Sequence, residues 1–324
     1  MRRNVINYSK YGYIFSLPFV LAFLVFSLYP ILYTTVIGFT NLKGLIPGPI
    51  RLLDDPFQNF KDLLFDNASF RQSLINTGLL WIVNFIPQIV IALLLAAWFT
   101  NRRLNIRGQG AFKTLLYMPN IITASTIAVL FSSLFAYPMG PVNSMFQMFG
   151  ISDAPIYFLQ DKATARGIVS FIQFWMWYGH TMLILIAGVL GINPALYEAA
   201  AIDGANGYQT FFRITLPSLR TIILFVLITS MIGGLQMFDI PQLLNNPPGA
   251  PDNATLTTSM FIYQQAFRGS FLYNRAAAAS MIMFAIAAVL SAIIFYLMRD
   301  RDAAKLRKQE KKLRKAARAA AKEA

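Results

Sequence analysis

One histidine, no cysteine and fourteen acidic residues define what chemistry this 324-residue chain can carry. His180 alone cannot build the paired-histidine metal motifs. Without cysteine there is no thiolate ligand, thiol nucleophile or disulfide framework. The acids all fall in polar connections or at the ends, so none shares an apolar stretch with His180. Nucleophilic, acid–base and metal chemistry therefore lack their parts. What remains is recognition without bond-making. Gln173, Trp177 and His180 recur at intervals of four and three, one stripe of a helix, with Trp175 and Tyr178 flanking it. Polar groups in an apolar stretch tend to face a bundle interior or a water-filled path. Amides beside aromatic faces suit sugars, offering hydrogen bonds and surface for C–H groups together. Gln236 is a second candidate, with Gln88 and Asn84 behind it. Packing or an interfacial belt would equally explain Trp175 and Trp177, and an interhelical hydrogen bond would explain His180.

The elements that must hold these residues are membrane helices. The chain is 56% hydrophobic and only 13% charged, with mean hydropathy +0.52; soluble domains carry about 25% charged residues. Charge-free windows run 11–42, 72–101, 114–152, 167–197, 221–238 and 276–298. About 20 apolar residues cross a bilayer, so each window holds one crossing. Barrel-type alternation is missing, which leaves helices as the structure that satisfies every backbone group in lipid. The expected fold is all-α, with six spans at about 12–39, 77–99, 114–136, 167–192, 218–238 and 275–298 forming a domain over 1–298, then a basic tail over 299–324. In the third window, Tyr137, Pro138, Gly140 and Pro141 end the helix in a turn. The first apolar run is too long for a signal-peptide core and ends in no small-residue cleavage site, so it reads as a retained span.

Lysine and arginine orient the bundle. With the amino terminus inside, the inner segments hold twenty basic and six acidic residues, and the outer segments eight of each. The net charge of +14 is then entirely topological. It needs no nucleic acid, and both termini are expected in the cytoplasm. The outer segment 41–76 reads as a Pro- and Gly-rich loop followed by a surface helix, large enough to meet an external partner. The outer segment 239–275 carries a firm turn at Asn245, Asn246, Pro247, Pro248 and Gly249. Asn253-Ala254-Thr255 fits the glycosylation pattern by chance in a chain of prokaryotic character. The tail reads as a solvated basic helix near anionic lipid.

The connection 193–217 differs from an ordinary loop. Asn193 suits an N-cap and Pro194 the first helical position. Gly204 and Gly207 supply a turn, and a second helix from Tyr208 to Leu216 leads to Pro217 and span five. Ala199, Ala200 and Ala201 add little bulk, so another surface could approach the backbone; Phe211 and Phe212 add apolar area. An apolar patch of this kind marks docking, and a re-entrant hairpin packed on its own bundle is the alternative.

The spacing Glu198-Ala199-Ala200, Gly204, Ile214 and Leu216-Pro217 resembles the signature loop of permease subunits of binding-protein-dependent ABC importers. The fuller run from Tyr197 to Ala205 is similar to the carbohydrate-uptake branch, and most similar to its maltose-type first permease. Asn59-Phe60 with Leu64, Asp66, Phe70, Leu74 and Asn76-Thr77 agree, as do Tyr117-Met118-Pro119 and Gly140-Pro141-Val142-Asn143. The outer turn at 245–249 departs from the Gly-Gly-Pro common in that family, which leaves binding-protein docking there open.

The resemblance implies the type I importer permease fold in a prokaryotic cell membrane. It implies a second permease, two ATP-binding subunits, an extracellular solute-binding protein and a sugar cargo. ATP and magnesium would be used by the partner ATPase, since this chain has no phosphate loop and is expected not to be an enzyme. Glu198, Ala199, Ala200, Asp203, Gly204, Ile214, Leu216 and Pro217 would couple to that ATPase, Glu198 by pairing with a basic group. Gln173, Met176, Trp177, His180 and Gln236 would line the path. Glycerol phosphate or a polyol is an alternative cargo, though no basic residue lies within the spans. An ion-coupled transporter would need acids at mid-membrane, and an intramembrane enzyme would need a catalytic cluster.

Overall fold

The computed structural model describes residues 9–45, 48–101, 104, 106–269 and 271–298. The basic tail, Arg2, Arg3, Arg102 and Arg103 lie outside the described residues. In chain order the helices are α1 (Tyr11–Ile37), α2 (Ala68–Thr100), α3 (Gln109–Ile121), α4 (Ala124–Leu134), α5 (Pro141–Met148) and α6 (Lys162–Leu190). Then come α7 (Pro194–Ile202), α8 (Gly207–Thr210), α9 (Arg220–Leu235), α10 (Asp239–Leu244), α11 (Thr258–Phe267) and α12 (Tyr273–Met298). Among the described residues, the one β pairing is an isolated bridge between Thr40 and Leu52.

Five helices are long and apolar enough to cross a membrane singly: α1, α2, α6, α12 and the run Arg220–Leu244 that joins α9 to α10. The sixth candidate crossing departs from the single helix expected over 114–136. It is a pair, α3 and α4, bent by 90° at residues 122–123. The cause is local. Pro119 has no N–H to give its helix, and Thr123 takes an extended backbone (ψ 143°) to cap α4, its hydroxyl accepting from Thr126 N–H. Asn120 Nδ2 donates to the Met176 carbonyl at 3.2 Å, supplying a partner beside the break. Span five also runs further than expected, to Leu244, with an interruption at 236–238 that leaves Asp239 at the start of α10.

The described residues fall into two compact units. The first takes those within Met1–Pro87, Asn120–Met176 and Gly233–Ile286; the second those within Gln88–Pro119, Trp177–Ile232 and Ala287–Ala324. The first unit is centred on Leu80, Ile127, Val169, Ile172 and Ile240, with a second cluster of Leu63, Phe70, Phe261, Ala278 and Ala279. Within the spans these clusters are held by close van der Waals packing rather than by exclusion of water, since lipid tails are as apolar as the side chains. Polar ties fix the connections of this unit. Arg166 donates to the Ala254 carbonyl (2.9 Å) and to Asn76 Oδ1 (2.7 Å), while Asn76 Nδ2 donates to the carbonyls of Asn253 (2.7 Å) and Leu256 (3.1 Å). The 245–249 turn is thus part of a strap fastened to α2 and α6. Ala254 and Thr255, in the glycosylation-like triplet, are fully buried. The second unit is centred on Ala92, Ala96, Met182, Leu185 and Leu219.

Candidate coupling and translocation sites

The connection after α6 folds as an elbow, entirely within the second unit. Asn193 Oδ1 accepts from Ala195 N–H at 3.0 Å and Pro194 opens α7, satisfying the helix start. The helix stops in a Schellman arrangement: Ala205 N–H donates to the Ala200 carbonyl (2.9 Å) and Gly204 N–H to the Ala201 carbonyl (3.2 Å). Gly204 sits at φ +72°, where a side chain would be strained. A capping box follows, Asn206 with Gln209, and starts α8. The chain then runs through a π turn at Phe211–Thr215 into Leu216–Ser218. Tyr197 and Thr215 hydroxyls meet at 3.1 Å and tie the two arms together.

This geometry sorts the expected coupling residues. Glu198, Ala199, Asp203, Gly204 and Pro217 are exposed, Ile214 and Leu216 half-buried. Ile202 is 87% exposed and Tyr208 72%. Neither Glu198 nor Asp203 is in an ion pair among the described residues. Ala200 differs from them: it is only 7% exposed, because its place on α7 faces the chain itself. Its small side chain serves the elbow's own packing, and Ala199 and Ala201 are the open alanines. Gly207 begins α8, so Gly204 alone makes the turn. At the elbow's root lies a groove of about 380 Å³ lined by Gly188, Gly191, Asn193, Leu196, Ser218 and Ile222.

The expected stripe on α6 divides. In the second unit, Trp177 is 44% exposed and His180 half-buried. Their rings meet edge to face with centroids 5.8 Å apart, and Tyr117 of α3 lies 6.5 Å from His180. Gly179 permits this: a Cβ there would overlap the Leu116 carbonyl, so α6 and α3 touch backbone to backbone. In the first unit Gln173 is half-buried and Gln236 exposed at the break between α9 and α10. Met176 is the buried member of the set. It is 9% exposed and packs in the core with Leu80 and Ile127, where an unbranched thioether fills space. Trp175 packs on Phe131 at 5.7 Å. Gln88 is buried and donates to Thr181 Oγ1 at 2.7 Å; Asn84 is buried and donates to the Leu80 carbonyl. Sequence reasoning missed Tyr117 as a neighbour of His180. The signal was Pro119 two residues on, which marks the bend that turns α3.

Outside the spans, Asp161 caps α6, accepting from the backbone N–H groups of Thr164 (2.9 Å) and Ala163 (3.0 Å). Those bonds, that of Thr164 foremost, hold its carboxyl below the ordinary carboxylate range. Among the described residues no cluster of His, Asp or Glu could hold a metal ion.

Long apolar helices with a short capped elbow between two of them define a polytopic membrane protein of the permease class. Residues 67–308 match the family described as binding-protein-dependent transport system inner membrane component, and the chain belongs to that family. It is 34% identical over 300 residues to the lactose transport system permease protein LacF of Rhizobium radiobacter, covering 91% of this chain and 96% of that one. It is 33% identical over 263 residues to the arabinooligosaccharides transport system permease protein AraP of Bacillus subtilis, covering 80% of each. Its fold is similar to a chain of a bacterial ABC transporter involved in import of the acidic polysaccharide alginate, with TM-score 0.74, 26% identity and coverage of 89% and 94%. A second structure of the alginate transporter, in complex with an alginate pentasaccharide-bound periplasmic protein, gives TM-score 0.71 and 25% identity. The chain is accordingly an importer permease with the all-α permease fold, and not an enzyme.

Proposed function

We propose that the chain forms one half of the membrane path of an ATP-driven sugar importer, with the elbow as its handle for a cytoplasmic ATPase. The observation that carries the reading is the elbow itself: a capped helix whose exposed side offers Glu198, Ile202 and Asp203, with neither carboxylate in an ion pair among the described residues. A second permease completes the path, two ATP-binding subunits use ATP and magnesium, and an extracellular solute-binding protein delivers cargo. The family membership supports this assembly, and the alginate transporter's periplasmic protein is a parallel for the last member. Sugar as cargo is supported by relatives that carry lactose and arabinooligosaccharides in their names. The excess of basic residues in the connections that include the elbow supports a cytoplasmic elbow and termini. Nucleotide and binding protein must each favour one conformation, or no work is done on the path.

Trp177, His180 and Gln173 are the path residues of this reading, with Gln236 at a further position; Tyr117 joins them through its ring contact with His180. The absence of cysteine makes single labels unambiguous. In the reconstituted complex, Ile202→Cys crosslinks to the nucleotide-hydrolysing subunit; failure to capture that subunit from assembled complex overturns the coupling role. Replacing Trp177 and His180 together by alanine lowers sugar uptake about tenfold or more, equivalent to at least ~1.4 kcal/mol, with assembly retained. Unchanged uptake removes them from the path.

A further inference from the structure

The third charge-free window, 114–152, is far longer than a crossing needs, and α4 ends at Leu134. The surplus holds α5, an eight-residue helix within the first unit. Its start is pressed against the end of the membrane helix: a Cβ at Gly140 would lie 2.7 Å from the Leu134 carbonyl oxygen. One side is locked inward. Val142 and Phe146 pack on the core. Asn143 is buried, donating to the carbonyls of Ala136 (3.2 Å) and Ile156 (3.1 Å) and accepting from Ile156 N–H (2.8 Å). The rotation of α5 about its axis is therefore fixed.

At 3.6 residues per turn, the outward part of α5 divides into two sectors. Met145, Met148 and Phe149 fall within roughly 100° of arc, and Ser144 and Gln147 occupy the remainder. Met148 is 74% and Phe149 65% exposed. The helix ends in the bond from Ile151 N–H to the Phe146 carbonyl (2.8 Å), with Gly150 at φ +66°, so exposed Ile151 follows directly on the apolar sector. Met139, before the helix, is exposed as well. Tyr137 and Tyr157, flanking α5 in sequence, stack with ring centroids 3.4 Å apart. Three faces, one to core, one apolar and one polar, are what a helix lying at a water–hydrocarbon boundary requires.

We infer that α5 is an interfacial anchor: Met145, Met148, Phe149 and Ile151 enter the acyl–headgroup boundary of the bilayer, Ser144 and Gln147 face water, and the tyrosine pair sits at headgroup level. Lipid is the occupant because the helix begins on the last turn of a membrane helix, and aromatic belts mark that depth. Residues 114–152 also carry no charge, which suits a segment that enters hydrocarbon. The outer connection 41–76, by contrast, carries four acids and four basic residues.

The test uses the whole transporter in liposomes, with Met148→Cys, Phe149→Cys and Gln147→Cys spin-labelled one at a time. Labels at 148 and 149 are expected to collide more with oxygen than with a water-soluble nickel chelate, and the label at 147 to show the reverse. Chelate access at all three positions overturns the anchor. Exclusion of both reagents at 148 and 149, the sign of a covering protein, also overturns it. A lipid-borne carbene probe provides a check on the unsubstituted complex: label within 139–152 is expected, and none there overturns the inference.

Discussion

Helices α5 and α7 share one architecture and differ in what they display. Each begins with a proline, Pro141 or Pro194, shortly after a membrane helix. Each stops in the same pair of backbone hydrogen bonds around a left-handed glycine, Gly150 or Gly204. Both leave large apolar side chains in the open. Yet α7 is bordered by Asn193, Glu198 and Asp203, and is followed at once by a second capped helix tied back through Tyr197 and Thr215. The α5 helix has no charge, no side-chain cap at Gly140, and a single buried asparagine as its lock. The backbone device thus fixes only where a short helix points. The charges beside it add a requirement that an apolar face lacks, because a desolvated carboxylate demands a matching cation and a methionine demands nothing of that kind.

That comparison can be broken by experiment, most severely at its glycines. Gly204→Pro cannot adopt φ +72° and removes the donor to Ala201. It is expected to abolish uptake while the assembled ATPase still turns over; normal transport by this variant would equate the elbow with an ordinary loop. Asn143→Ala removes the side-chain partners of both Ile156 N–H and the Ile156 carbonyl in a part-buried place, while the Ala136 carbonyl keeps its bond from Gly140 N–H; each group left unmet costs about 1–3 kcal/mol. Thermal unfolding of the purified complex should register that loss, with the specific transport rate of the folded fraction retained. Asp161→Asn gives the smallest effect and separates charged from neutral caps. The carboxyl of Asp161 is held low by its N–H partners, so its contribution is present above the ordinary carboxylate pKa. That contribution fades as pH falls through the lowered folded value. The asparagine variant should flatten this acid-side loss, whereas α7, capped by Asn193, should show none to begin with.

The elbow was readable from sequence because its signals are local: Asn and Pro at a helix start, Gly at a stop. Charge-free windows likewise located the crossings, since hydrocarbon excludes charge wherever the helix happens to pack. They could not reveal the bend at 122–123, where apolar residues continue across a backbone break set by Pro119 and Thr123. The same blindness merged α4 and α5 into one window. The family resemblance grouped Met176 with Trp177 without saying which of them met the core, and small size grouped Ala200 with its neighbours without saying which faced outward. Pairings such as Arg166 with Asn76, ninety residues apart, leave no periodic trace.

The Arg166 clamp also dictates an order of events during biogenesis. Its Asn76 partner has already been synthesised when Arg166 leaves the ribosome, but the Ala254 carbonyl follows 88 residues later. At ribosomal rates of about 5–20 residues per second, that interval is roughly 4–18 s. Throughout it only the Asn76 half of the clamp has been synthesised. The tie between α6 and α2 can therefore close before the strap that follows the 245–249 turn is available to complete it.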